Sequence, residues 1–249
     1  MKALKAEELL SVWEQGLNQP LLQRMLILLA AAFPEMQPDT LIKLSIGQRD
    51  LRLLQVRECL FGQQLLNTAV CPQCNERIEW ENSTADFLAQ PESVNSTANE
   101  YDFDADDYTI RFRLPNSLDI SAVSSNSIEI QNENKIEQHL LSRCLLKVER
   151  RGVSCDVNQL PDSIIQELNQ QLETLDPQAD IHIRLNCPEC SHSWDVLFDI
   201  ASFLWMEVND WAQQMLQMVH KLAIGYGWSE REILNLSPVR RQLYLGMLG

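Results

Sequence analysis

Two copies of one short motif, Cys71-Pro72-Gln73-Cys74 and Cys187-Pro188-Glu189-Cys190, constrain this chain more than any other feature. A tetrahedral thiolate site needs four sulfurs, and two Cys-x-x-Cys knuckles deliver them as two rigid pairs. Proline at the second position pre-sets the turn, which lowers the cost of converging the flanking sulfurs. The pairs are separated by 112 residues, far more than in a compact zinc finger, so a shared site would force early and late chain segments together. The likeness extends past the motifs. Cys71 is followed 16 positions later by Phe87-Leu88, and Cys187 at the same interval by Phe203-Leu204. Ile78 and Trp194 share an offset, as do Glu79 and Asp195, for a repeat shifted by 116 residues. Each copy reads as a knuckle, a strand and the start of a helix. A solenoid usually stacks three or more units, so two copies point instead to a pseudo-twofold pair that meets in space.

The main reading is therefore a structural four-cysteine zinc site built from Cys71, Cys74, Cys187 and Cys190. Free thiols and a redox pair stay open as alternatives. Redox motifs normally begin a helix, whereas these sit between strand-like residues. His192 either replaces a ligand or is a polar knuckle residue. Cys59, Cys144 and Cys155 lack partner spacing and read as bystanders.

Composition narrows the partners. The 249 residues are 45% hydrophobic and 22% charged, as in globular proteins. With 20 Lys and Arg against 35 Asp and Glu, the formal charge is −15, which repels phosphate backbones and anionic membrane surfaces. No apolar run approaches the roughly 18 residues that span a bilayer. The N-terminus MKALKAEELL has no apolar signal core, so the expected location is the cytoplasm, where thiols stay reduced. Nucleic acid, membrane and small-molecule substrates are thus not the expected partners.

Periodicity suggests an α+β chain, mostly helical, with a small zinc-ribbon-like β element formed by the two distant knuckles. Residues 1–62 read as helices: Leu9, Leu10, Trp13 and Leu17 share a face, Leu21 to Phe33 is stopped by Pro34, and Leu51 to Phe61 ends at Gly62. The first knuckle occupies residues 63–90. Residues 91–107 are a polar insert, with five acidic residues between Glu100 and Asp107, and read as a solvated loop. Residues 108–180 hold a strand, Tyr108 to Leu114, stopped by Pro115, then helices around Ile136 to Val148 and Ile164 to Leu175. The second knuckle is the turn of a hairpin over 181–199. In residues 200–249, Leu204, Val208, Trp211, Met215, Val219 and Leu222 line one face of a long helix broken by Gly225 and Gly227. Ser229 with Glu232, and Ser237-Pro238, open two shorter helices. These segments are expected to interdigitate as one domain.

No enzyme constellation emerges. His139, His182 and His220 are scattered, and neither a glycine-rich phosphate loop nor Gly-x-Ser-x-Gly is present. The acidic run at Asp102 to Asp107 lacks the glycine and terminal glutamate of a calcium loop. Ser229 to Arg241 has a helix–turn–helix look, with Arg231, Arg240 and Arg241 as a basic cluster, but the net charge opposes DNA reading. Trp205, Met206, Met215 and Met218 form either core packing or an adaptable groove for a client segment. Arg240 and Arg241 would pair with acidic groups in the fold or on a partner. The candidate partner-binding set is therefore Trp205, Met215, Met218, Arg240 and Arg241.

The tail FDIASFLWMEVNDWAQQMLQMVHKLAIGYGWSEREILNLSPVRRQLYLGML resembles the C-terminal signature of the baseplate hub assembly chaperones of T-even-like contractile phages and extracellular contractile injection systems. The paired knuckles, GQRDLRLLQVRECLFG and YTIRFRLPNSLD are also similar to that family. The resemblance runs from about residue 8 to the end, with residues 90–107 and 124–133 as variable inserts. It implies a non-enzymatic cytoplasmic factor that helps build a baseplate hub, with hub, spike or tail proteins as partners. A retained baseplate subunit is the nearest alternative, and a zinc-ribbon nucleic-acid adaptor a more distant one.

Overall fold

The computed structural model describes residues 1–87, 100–126 and 133–248. The fold is α+β and mostly helical, and its contacts separate into two compact units. One joins the chain's two ends, Met1–Gln37 and Ile200–Gly249; the other is Pro38–Asp199.

In the terminal unit, α1 (Ala6–Gly16) and α2 (Leu21–Ala32) pack with α9 (Ile200–Tyr226), α10 (Glu230–Asn235) and α11 (Pro238–Gly246). Leu10 of α1 meets Ala212 and Met215 of α9 in a buried cluster, while Val219, Leu222 and Ile233 form a second one. Gly16 is required by close approach: the Trp205 ring fills the space where its Cβ would sit. At the far end of α9, Gly227 adopts φ 70°, and Tyr226, Trp228 and Tyr244 stack around the reversal. The capping box of Ser229 with Glu232 then opens α10, and Ser237 accepts from the Arg240 N–H to open α11.

The Pro38–Asp199 unit begins with α3 (Pro38–Ile42) and α4 (Ile46–Phe61). Helix α4 starts five residues before the apolar periodicity does, because Ser45 and Gln48 form a capping box. It stops at Gly62, φ 89°. The Asp176 carboxylate also accepts from the Gly47 N–H at 3.0 Å, and a side chain on Gly47 would collide with it.

Strands β1 (Gln64–Val70) and β2 (Arg77–Ser83) form one antiparallel hairpin, followed by the single turn α5 (Thr84–Phe87). A four-stranded antiparallel sheet follows in the order β3 (Tyr101–Ala105), β4 (Tyr108–Phe112), β5 (Leu145–Arg150), β6 (Val153–Ser154). Helices α6 (Ser117–Asn126), α7 (Glu133–Cys144) and α8 (Asp162–Leu175) accompany it. The core here is Ile110, Val148 and Ile164, with Phe112, Leu141 and Leu168 beside it. A second hairpin, β7 (His182–Asn186) and β8 (Ser193–Leu197), closes the unit.

Two sequence expectations are corrected. The acidic stretch read as loop contains β3: Asp102 pairs with Arg111 across the hairpin at 2.8 Å, and Asp106 supplies a positive-φ turn residue. Cross-strand neutralisation lets an acidic run sit at a sheet edge, where charge also discourages edge-to-edge association. The helix expected through Val148 ends at Cys144, because Leu145 to Val148 pair with β4 and place Val148 opposite Ile110. Residues 90–99 of the expected loop lie outside the described residues.

Asp119 at the start of α6 is completely buried and holds two arginines. Arg113 binds it through both carboxylate oxygens at 2.6 and 2.9 Å, Arg143 at 3.0 Å, and the Asn116 N–H donates at 3.0 Å. Burial alone would raise its pKa, yet the bonds from Arg113, Asn116 and Arg143 outweigh it and hold the carboxyl below its usual range. Asp119→Ala takes the carboxylate from two partly exposed guanidinium groups and the acceptor from the Asn116 N–H, and should destabilise this unit by about 2–3 kcal/mol in urea titration. Since the folded-state pKa is depressed, the Asp119 contribution is present above the unfolded carboxylate value near 3.9 and disappears as pH falls through the folded value. The acid limb of the stability curve should therefore be shallower in Asp119→Ala.

Candidate metal centre

Both knuckles are turns of hairpins, and local hydrogen bonds build them alike. In the first, the Cys71 N–H donates to the Glu76 carbonyl at 2.8 Å and the Asn75 N–H to the Cys71 carbonyl at 2.9 Å. In the second, the Cys187 N–H donates to His192 at 2.8 Å and the Ser191 N–H to Cys187 at 3.0 Å. Asn75 and Ser191, 116 positions apart, both take positive φ, at 61° and 58°. The left-handed residue reverses each chain after the second sulfur; asparagine tolerates it, and serine does so at some cost. The helix starts also match, with α5 beginning at Thr84 and α9 at Ile200. The 116-residue repeat thus reproduces strand, turn, strand and helix start.

The four sulfurs converge. Cys71 Sγ lies 3.7 Å from Cys190 Sγ, and Cys74 Sγ lies 3.5 Å from Cys187 Sγ, with all four within 4.8 Å of one another. Each short contact joins one knuckle to the other. Exchanging the two hairpins converts one contact into the other, so the cluster carries a local twofold. A tetrahedral ion with metal–sulfur bonds of about 2.3 Å, as zinc makes, sets sulfurs roughly 3.8 Å apart. The donor set fits, and among the described residues it is the one His, Cys, Asp and Glu group gathered tightly enough to hold a metal ion. None of the cysteines is in a disulfide.

Burial and charge are graded across the cluster. Cys71 and Cys187 are buried, Cys190 is half-buried and Cys74 is exposed, so the site is dry on one side and open on the other. Burial works against ionising Cys71, but the N–H groups of Cys74 and Gln73 aimed at its sulfur prevail and bring its pKa to about 7. The N–H of Glu76 favours a Cys74 thiolate; burial and the three neighbouring sulfurs outweigh it and push the thiol up to about 12. A second negative charge so close to the first is costly without a cation, and a dication removes that cost.

A second fastening joins the hairpins away from the sulfurs. Phe87, at the end of α5, stacks on Phe198, just after β8, with centroids 4.6 Å apart and planes 5° from parallel. Gln178 donates to the Phe87 carbonyl at 2.7 Å. Sequence reading missed this pair, because Phe198 falls opposite Asn82 in the repeat and only Phe203 matches Phe87. His192 stacks on Trp194 at 5.8 Å and lies outside the sulfur cluster. Cys144 is buried, with its thiol pushed up to about 12 by that burial; Cys59 is exposed and Cys155 half-buried.

The other sequence candidates lie in the terminal unit. Trp205 is buried under the Arg24 guanidinium, 4.9 Å from the ring centroid. Met215 belongs to the core with Leu10 and Ala212, and Met218 packs against the Val219–Leu222–Ile233 cluster. Arg241 is buried and donates to the Leu234 and Leu236 carbonyls at 3.1 and 2.8 Å. Those bonds satisfy the end of α10, so Arg241 caps a helix where the sequence suggested an acidic partner. Arg240 is exposed over the Tyr244 ring.

Metal analysis of the purified chain should find one divalent ion per molecule. Cys71→Ser combined with Cys187→Ser should remove it and lower the melting temperature of the Pro38–Asp199 unit, whereas Cys59→Ser should leave both unchanged.

A family model described as T4 bacteriophage base plate protein matches residues 5–205. No curated protein and no solved structure matches the chain. Among the described residues, no helix is long and apolar enough to cross a membrane.

Proposed function

This chain belongs to the T4 bacteriophage base plate protein family, and from that membership we propose that it is a non-enzymatic assembly chaperone for the hub of a contractile-tail baseplate or contractile injection system. The family match over residues 5–205 carries this reading, since it gives the chain a baseplate-related structural or assembly role. Its partners are other baseplate proteins, and within them we assign it to the hub, spike and tail components, met in the cytoplasm.

The metal is zinc, and its role is structural. Four thiolates saturate a tetrahedral ion and leave no position for water or substrate, whereas a catalytic zinc keeps one open. In this reading the ion supplies only cohesion. The chain's own residues do the rest: the two knuckles orient the sulfurs, and the Phe87–Phe198 stack holds the hairpins in register. An assembly factor needs no covalent step, because a bound state favoured over premature association is sufficient. A net charge of −15 favours protein partners over nucleic acid.

Co-expression with the neighbouring tail components, followed by affinity capture and mass spectrometry, should recover a stoichiometric complex with a hub component. Finished particles should contain the chain at far below one copy per hub. Full stoichiometry in finished particles would make it a retained structural subunit instead.

A further inference from the structure

Helix α11 presents a face that its own unit leaves uncovered. Val239, Leu243 and Met247 recur at every fourth residue and are 69%, 59% and 71% exposed. Gly246 lies on the same face, and a side chain there would meet nothing within 4 Å. The opposite face turns inward, with Arg241 bonded to the carbonyls at the end of α10 and Tyr244 and Leu245 packed on the Leu222–Ile233 cluster. Arg240 flanks the stripe. All of this lies beyond residues 5–205, so the family match does not account for it.

We propose that this face is covered by the same face of a second copy of the chain, the two α11 helices pairing antiparallel about Leu243. That register sets the short Val239 against the second copy's long Met247, and Leu243 against its own counterpart on the twofold axis. It sets Arg240 against the second copy's Gly246, where no Cβ obstructs the guanidinium. There the cation meets the C-terminal turn of the opposing helix, whose carbonyls carry partial negative charge. The arrangement occurs twice per pair, so the face complements itself in shape and in charge.

The charge distribution favours contact through this unit. Met1–Gln37 and Ile200–Gly249 together carry 7 Lys and Arg against 8 Asp and Glu, while Pro38–Asp199 carries 13 against 27. Two copies meeting through the strongly acidic unit would repel; through the nearly neutral one they need not. The contact is small. Nine residues of helix span roughly 13 Å, too short for two such faces to reach the roughly 1,200 Å² at the lower edge of standard interfaces. Association is therefore weak in dilute solution and serves where copies are already held close together.

Sedimentation equilibrium of the full chain, from about 10 μM to 1 mM, tests this. The expected result is a monomer–dimer equilibrium within that concentration range. Leu243→Glu should weaken it at least about tenfold with unchanged circular dichroism, since two like charges would meet on the axis. Val239→Glu, a second exposed position, should act in the same direction and guards against misfolding of the first variant. Met206→Glu, exposed on α9, should change nothing. A wild-type chain that stays monomeric throughout, or a dimer indifferent to both stripe variants, overturns the proposal. A monomer that uses Leu243 to bind another baseplate component overturns it too.

Discussion

The convergence of four sulfurs from two hairpins is the constraint on which the Pro38–Asp199 unit depends. Everything between the knuckles, including the four-stranded sheet and helices α6 to α8, lies inside the loop that the cluster closes. A cross-link over about a hundred residues removes denatured-state freedom on the order of 4–5 kcal/mol, if a metal clip behaves as a disulfide of equal loop length does. That is a large share of the roughly 5–15 kcal/mol by which folded domains are stable. Inside the loop, Asp119 with its two arginines ties the end of β4 to α6 and α7. The Asp176 carboxylate, also inside the loop, reaches out of it to hold the first turn of α4. Hydrogen-bonded carboxylates thus add to the fastening by the sulfurs, Asp119 at short range in the chain and Asp176 at a separation of 129 residues.

Charge is distributed as unevenly as cross-linking. The acidic excess sits almost wholly in Pro38–Asp199, and cross-strand pairs such as Arg111 with Asp102 and Arg184 with Asp195 neutralise little of it. Such exposed pairs contribute at most about 1 kcal/mol each. The remaining field keeps like surfaces apart and favours partners with basic patches. The terminal unit is held by different means, with a nearly neutral composition, aromatic stacking around Trp228 and helix ends satisfied by Ser229, Ser237 and Arg241.

Most of the fold was legible wherever local chemistry decides local structure. The Ser229–Glu232 capping box, Gly62, Gly227 and the alternation around Cys187 each encode their element without help from distant residues, whereas the Ser45–Gln48 box that starts α4 was passed over. The sulfur cluster was legible for another reason: a repeated motif carries its own statement that the copies belong together. What escaped was set by tertiary pairing. Strand β1 has no strong alternation, and it forms because β2 aligns against it from Gln64 with Ser83 to Val70 with Arg77. Leu145 to Val148 continue a helical pattern and become strand because β4 offers an edge. Asp119 looks like any polar residue until two arginines, 6 and 24 positions away, arrive at it. For the long helix, periodicity identified the buried face, and Trp205 and Met215 lie on it. The exposed stripe of α11 follows the same spacing as a core stripe, and only the surrounding structure distinguishes the two.

The 112-residue interval between the knuckles also has a meaning in time. A ribosome adding about 5–20 residues per second delivers the second hairpin some 6–22 s after the first. Throughout that interval Cys71 and Cys74 lack the two sulfurs that complete their cluster. In a crowded polysome, the missing half is also displayed by the neighbouring nascent chain. The intervening sheet and helices, by compacting, shorten the distance a chain's own second hairpin must travel to meet its first before a stranger's does.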